Sequence, residues 1–255
     1  MIKLSVVIVA FNEEKDIEKC LNSASDVADE ILVVDSLSTD RTPEICKKYG
    51  VKFISHPWEG YVNQKNYALK QAKYDYVLSL DADEALSEEM HQAILRIKQD
   101  WACDGYIFNR KNNYCGKWMD FTTLYPDRKL RLFDRRKGRW TGYDPHDHVV
   151  MDEGSTIGKI NADIMHWAME DMEEQKRKTR NFAEVAAKAY AAEGRNPWAG
   201  QGAVHAAWRF IREFFLRFGF LEGKQGFWFA SSSAKYTYLK YKLVKNYRNE
   251  PADPV

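Results

Sequence analysis

The chain opens on an unbroken apolar run, "LSVVIVAF", before the polar stretch "NEEKD". An apolar run that does not alternate with polar residues predicts a strand covered on both faces. The same pattern returns in "EILVVD", which ends at Asp35, in "VKFIS", and in "YVLSL", which runs into Asp81. Helix signals fill the intervals. Asn12 followed by Glu13 and Glu14 predicts an N-cap with acids in a first helical turn. Thr42, Pro43 and Gly50 bracket "PEICKKY" as a second helix, residues 62–73 form a third, and Ser87 with Glu88 and Glu89 starts a fourth toward Asp100. Strand and helix in alternation predict an α/β fold, with a mostly parallel sheet covered by helices and ligands at the C-terminal strand ends. Asn12, Asp35 and Asp81 all fall at such ends. Past residue 105 the alternation gives way to short strands such as "YIFNR" and "RKLRLF", and from Asp163 onward to helices.

At 255 residues the chain has room for one large α/β domain, or a domain with an appendage. A formal charge of +1 demands neither nucleic acid nor a strongly acidic partner. That average conceals a gradient. Between Val204 and Arg248 nine Lys/Arg face two Asp/Glu, a local charge of +7, interleaved with thirteen aromatics. Four cysteines, at 20, 46, 103 and 115, share no C-x-x-C spacing, which fits a reducing cytosol and argues against thiolate zinc. No stretch approaches the ~20 apolar residues that span a bilayer. The start "MIKLSVVIVAFNEE" has no small-residue cleavage site and reads as a first strand rather than a signal peptide.

Two familiar phosphate devices are missing: there is no G-x-G-x-x-G after the first strand and no G-x-x-x-x-G-K-[ST]. Asp81 and Asp83 offer another. On an extended segment the two carboxylates point the same way, and Mg²⁺ or Mn²⁺ takes such oxygen ligands together with substrate phosphates. A lone D-x-D is more often a solvated turn. Here the pair ends a central strand, in a crevice that also collects Asn12, Asp35 and "GYVNQKNYAL".

"SVVIVAFNEE", "EILVVDSLSTDRT", "GYVNQKNYAL" and "VLSLDADE", in that order and spacing, resemble the family 2 glycosyltransferases, whose nucleotide-sugar-binding fold is of GT-A type. "YPDRKLRLFDRRKGRW", "HDHV", "DIMHW" and "FLRFGFLEGKQGF" resemble the branch containing lipopolysaccharide core glucosyltransferases. The resemblance implies a nucleotide-sugar-binding half at 1–100, an acceptor-side half at 101–165 and a C-terminal helical extension at 166–255. It implies that Ala10, Phe11, Asn12, Glu13 and Asp35 hold nucleobase and ribose, that Gln64, Lys65 and Asn66 help close that pocket, and that Asp81 leans to the ribose. Asp83 then binds the divalent metal, Mg²⁺ or Mn²⁺, with His166 as a further ligand. The implied reaction is inverting transfer of a hexose from a UDP-sugar to a lipid-linked or lipopolysaccharide saccharide.

Inversion needs a base for the acceptor hydroxyl, a role a carboxylate fills. Asp147 of "PHDHV" is the candidate and Asp127 the reserve, with Arg128, Trp140 and His146 also on the acceptor side. Many members carry Gly where this chain has Leu37, so the loop after Asp35 is expected to differ. Arg128, Lys129, Arg131, Arg135 and Arg136 either face a phosphorylated acceptor or form a solvated cationic edge.

The segment "VHAAWRFIREFFLRFGF" sets Val204, Trp208, Ile211, Phe215 and Phe218 on one helical stripe, with Arg209, Arg212 and Arg217 off it. Such a helix lies on a membrane surface or packs on its own domain. The former makes the protein a peripheral one at the inner face of the cytoplasmic membrane. A sugar-phosphate nucleotidyltransferase would want a Gly-rich basic loop where "AFNEEK" stands. A non-catalytic saccharide- or nucleotide-sugar-binding module would have no use for both Asp83 and a base.

Overall fold

The computed structural model describes residues 1–142 and 146–247, so Pro145 of "PHDHV", Arg248 and the residues after it lie outside the described residues. Strands β1 (Leu4–Ala10), β2 (Glu30–Asp35), β3 (Lys52–Ser55) and β4 (Tyr76–Asp81) alternate with helices α1 (Ile17–Ala24), α2 (Thr42–Lys48) and α3 (Tyr61–Gln71). Then come β5 (Glu84–Leu86), α4 (Glu88–Gln99), β6 (Gly105–Tyr114), β7 (Lys117–Trp118), β8 (Asp127–Asp134), β9 (Gly138–Thr141), β10 (His148–Met151) and β11 (Ile157–Met169). Helices α5 (Met172–Ala192), α6 (Gln201–Ile211) and α7 (Lys224–Tyr247) complete the chain.

The main sheet runs β3-β2-β1-β4-β8-β6-β11-β5. Its first four strands are mutually parallel. From β4 the pairing turns antiparallel, through β8 to β6, and β5 also runs antiparallel to β11. Antiparallel neighbours need no crossover helix, which is why the alternation stops near residue 105. Leu4, Val6 and Ile8 of β1 pack with Ile17 and Leu21 of α1 and with Met90 and Ile94 of α4. Val7, between them, packs with Leu32, Val34, Ala68 and Leu69 beneath α3. Both faces of β1 are buried, hence its continuous apolar run.

Two elements differ from expectation. Helix α1 begins at Ile17, not after Asn12. Asn12 takes φ 55°; its Oδ1 accepts the Thr39 N–H at 2.8 Å and its own N–H donates to Ser38 Oγ at 2.8 Å. The short amide side chain competes for backbone groups and ties the end of β1 to the loop after β2 rather than capping a helix. The residues after Asp163 continue a strand, β11, instead of opening a helix. Ile160, Ala162 and Ile164 are its buried positions, a period of two that the sequence carries in "KINADIM". Ser87 does cap α4, accepting from Met90 N–H at 3.2 Å, and Gly50 closes α2 at φ 64°.

The chain divides into two compact units, one of Met1–Lys111 with Asp127–Trp167, the other of Asn112–Pro126 with the residues from Ala168 on. In the second unit α7 packs along both α5 and α6. The four cysteines are free thiols.

Candidate active site

The parallel strands end flush, since Ala10 pairs with Asp35, and Val9 with Asp81. The loop after β2 folds back on this crest. Asp35 accepts the N–H of Ser38 at 2.8 Å with one oxygen and the Ser38 hydroxyl with the other, and Ser36 N–H donates to Ala10 O at 2.9 Å. Ser36 Oγ accepts from Gln64 Nε2 at 3.0 Å, and Gln64 Oε1 lies 3.0 Å from His56 Nδ1. Buried polar groups must be satisfied internally, and Ala10, Asp35 and Gln64 are buried. They therefore form the floor of the crest. Phe11 and Asn12 stand exposed above it, with Glu13 half-buried.

Leu37 corrects an expectation. It adopts φ 64°, so the loop keeps the left-handed turn that glycine would favour and Leu37 carries the strain. A non-glycine residue there costs about 1–2 kcal/mol, against the ~0.5–1 kcal/mol of chain entropy a glycine would add. Since the Leu37 side chain is exposed, Leu37→Gly is expected to stabilise the fold by up to about 1 kcal/mol, read as a higher urea midpoint with unchanged slope.

Asp81 and Asp83 do not sit side by side on an extended segment. Strand β4 ends at Asp81, residues 82 and 83 turn, and Glu84 Oε2 closes the turn on Asp81 N–H at 3.0 Å. The carboxylates find different partners. Asp81 meets Lys65 Nζ at 2.8 Å with Oδ1 and Arg131 Nη2 at 2.9 Å with Oδ2. Asp83 meets His166 Nε2 at 3.3 Å, brought there by the pairing of His166 with Glu84 in β11 and β5. Burial works against ionising Asp81, yet Arg131 and Lys65 outweigh it and hold the carboxyl well below the usual range. Burial opposes ionisation of Asp83 too, and His166 more than offsets it, so that carboxyl is also lowered.

Three consecutive residues of α3 point three ways, as the roughly 100° turn per helical residue requires. Gln64 holds the β2 loop. Lys65, buried, bridges Asp81 and Asp147, its Nζ 2.8 Å from Asp147 Oδ2. Asn66 bonds the Trp140 backbone twice, donating to its O at 2.9 Å and accepting its N–H at 3.0 Å. Lys65 Nζ and Arg131 Cζ lie 4.3 and 4.8 Å from the Trp140 ring centre. Trp140 is 3% exposed and presents nothing to an acceptor; it is the platform under the two cations. Lys65 and Asn66 likewise brace acids and strand β9 rather than lining an open nucleobase pocket.

Asp127 is engaged on both oxygens, by Arg110 Nη2 at 2.7 Å and Lys129 Nζ at 3.1 Å. Arg128 and His146 are exposed. Arg131 does not face an acceptor, being buried on Asp81. Arg135 and Arg136 lie at the other end of β4, where Tyr76 pairs with Asp134; there Arg135 Nε donates to Tyr74 O at 2.9 Å and Arg136 Nη2 pairs with Asp134 at 2.6 Å. Buried Glu84, with Arg110 Nη1 at 3.2 Å, is a member of the site that sequence reasoning did not place. Its signal was the third acid of "DADE", with Arg110 and Arg131 carried in the later strand segments "YIFNR" and "RKLRLF".

Among the described residues no group of three or more His, Cys, Asp and Glu side chains converges as around a metal ion. Asp83 and His166 form a pair, and a quarter of the Asp83 side chain is open to solvent. One or two protein ligands, with phosphate and water completing the shell, are what Mg²⁺ and Mn²⁺ commonly use. The pair fits such a cation.

Residues 5–153 match the family described as Glycosyl transferase family 2. An uncharacterized glycosyltransferase of Rickettsia bellii is 32% identical over 240 residues, covering 88% of this chain and 80% of that protein. The lipopolysaccharide core biosynthesis glycosyltransferase LpsC of Rhizobium meliloti is 28% identical over 244 residues, covering 92% and 89%. Among solved structures, S. aureus TarS 1–349 in complex with UDP-GlcNAc aligns over 96% of this chain and 89% of that one, at 19% identity and a TM-score of 0.48.

Proposed function

Because the chain belongs to glycosyl transferase family 2 and is a glycosyltransferase with a GT-A-type α/β domain, we propose that it transfers a hexose, with inversion, from a UDP-sugar to a saccharide of the cell envelope. The observation that carries this reading is the bridge from Asp81 through Lys65 to Asp147, 2.8 Å on each side, beside the Asp83–His166 pair. It supports a reading in which Asp81 serves the donor and Asp147 the acceptor.

In this reading the nucleoside lies against the exposed rim of Phe11 and Asn12, supported from below by Asp35 and Gln64, with Asp81 toward the ribose. Asp83 and His166 would hold Mg²⁺ or Mn²⁺, which when bound neutralises the charge developing on the departing diphosphate. Asp147 accepts the proton of the acceptor hydroxyl as its oxygen bonds to the anomeric carbon and the bond to the diphosphate breaks on the opposite face, the electron pair leaving with the diphosphate. The transition state has oxocarbenium character. Lys65 orients the Asp147 carboxylate for that transfer.

LpsC is named for lipopolysaccharide core biosynthesis, which supports a lipopolysaccharide or other lipid-linked acceptor and a working place at the inner face of the cytoplasmic membrane. The test is incubation with labelled UDP-hexoses and lipopolysaccharide core acceptors, with the anomer of the product read by NMR. An α-linked donor is expected to give a β-linked product; retention of configuration would remove Asp147 from the role of base.

A further inference from the structure

We propose that α6, the π-helical turn Arg212–Leu216 and the 3-10 turn Gly219–Glu222 form a pre-shaped docking surface for an anionic phospholipid membrane. This deepens the peripheral reading above, and rests on the transferase reading only for the class of acceptor.

The stripe at 204, 208, 211 and 215 follows one helical face, and no residue of α6 is buried. Trp208, Phe215 and Leu216 are 55, 54 and 57% exposed, although α6 packs against α7. The side that packs is therefore not the apolar stripe. A helix seated on its own domain would bury that stripe; this one displays it.

The display is held rigidly. Glu213, fully buried, accepts Thr123 N–H at 2.9 Å with Oε2 and meets Arg212 Nη2 at 3.1 Å and Arg209 Nε at 3.3 Å with Oε1. Buried Glu222 accepts the N–H groups of Asp120 and Phe121 at 2.6 and 2.8 Å with Oε1, while Lys117 Nζ lies 2.7 Å from Oε2. Between them Phe218 takes φ 57°. Close behind, a Cβ on Gly226 would stand 1.8 Å from Gly219 O, so the backbone there admits only glycine. A left-handed aromatic and a π turn persist only where the surroundings over-determine them. The exposed ridge is thus a fixed surface, not a frayed end.

Charge selects the occupant. The sequence from Val204 to Arg248 carries +7, and Lys224, Lys235, Lys242 and Lys245 are exposed. A second copy would bring two such charges together, whereas anionic headgroups complement them. Exposed aromatic anchors, with exposed lysines on the helix that α6 packs against, suit the bilayer interface, and no described helix is long and apolar enough to cross a membrane. Of the three arginines off the stripe, the structure engages two internally. Arg209 and Arg212 share buried Glu213, whereas Arg217 is exposed and keeps its charge, its Nη1 donating to Thr122 O at 3.4 Å. The electrostatic share falls to the lysines and Arg217.

The test is sedimentation of the full chain with vesicles of mixed phosphatidylglycerol and phosphatidylethanolamine. Wild type is expected to bind, and to keep part of its binding at high salt, since only the electrostatic share is screened. A variant with Trp208→Ser, Phe215→Ser, Leu216→Ser and Leu221→Ser should lose the salt-resistant part and partition about tenfold less. Its circular dichroism and its nucleotide-sugar affinity should not change, which separates this outcome from failure of the transferase reading; Leu216→Ser alone serves if the fourfold variant does not fold. Changing the four lysines and Arg217 to Gln should remove only the salt-sensitive part. Wild type left in the supernatant at low salt, or variants that bind as wild type does, would overturn the proposal. So would a wild-type dimer in analytical ultracentrifugation that the serine substitutions dissolve.

Discussion

Asp147→Asn is expected to lower kcat by at least ~10²-fold, the lower range for loss of a general base, while nucleotide-sugar affinity stays nearly intact. The amide keeps the size and reach of the side chain but accepts no proton. Lys65 retains its 2.8 Å partner in Asp81, so the donor side loses little. The mutant should therefore separate turnover from binding, a pattern that general loosening of the site would not give, since that would weaken both. Near-normal turnover would pass the role to Asp127. That residue starts from a poorer position, because Arg110 and Lys129 occupy both of its oxygens.

Asp83→Asn is expected to cost roughly a thousandfold or more in turnover, the scale of the several kcal/mol that a metal contributes to a departing anion. It should also abolish the Mn²⁺-dependent part of nucleotide-sugar binding. The fold should survive, because the structural contact at this residue is made by the backbone: Asp83 O accepts Trp167 N–H at 3.0 Å, and the side chain is partly open. A neutral amide beside His166 keeps the shape of the pair and loses its charge. Calorimetry with and without Mn²⁺ checks this, and metal-dependent affinity equal to wild type would contradict the assignment.

The parallel half of the sheet was legible because burial on both faces leaves an unmistakable mark, the continuous apolar run ending in a polar residue. Asn12, Asp35 and Asp81 were thus placed at strand ends from sequence alone. What those side chains do there was not legible. Asn12 carries the same local signal whether it caps a helix or a loop; Ser38 and Thr39, twenty-six and twenty-seven residues on, decide between them. The direction of Asp83 was lost for a similar reason. Two carboxylates one residue apart align only if the strand continues, and Glu84 reaching back to Asp81 N–H makes it turn.

The arginines show the limit most plainly. Arg131, Arg135 and Arg136 look alike in "RKLRLFDRR". Arg131 lies within β8 and is buried on Asp81, while the other two follow the end of that strand and sit beside the start of β4. Some five residues of β4 separate those places, roughly 17 Å at the rise of a strand. Leu37 went the other way: the sequence departs from the glycine pattern, but the turn is imposed by Asn12, Asp35 and Ser38, and tertiary bonding overrides local preference.

The most direct measurement of the central claim, a nucleotide-sugar site completed by a divalent cation, is the melting temperature of the wild-type chain against a panel of nucleotide sugars with and without Mn²⁺. A ligand that binds only the folded state adds about 2.7 kcal/mol at a hundredfold excess over its dissociation constant. A UDP-hexose is predicted to raise the melting temperature in Mn²⁺, with most of the gain lost in chelator and in Asp83→Asn. No stabilisation by any nucleotide sugar in the presence of Mn²⁺ or Mg²⁺ would contradict the account.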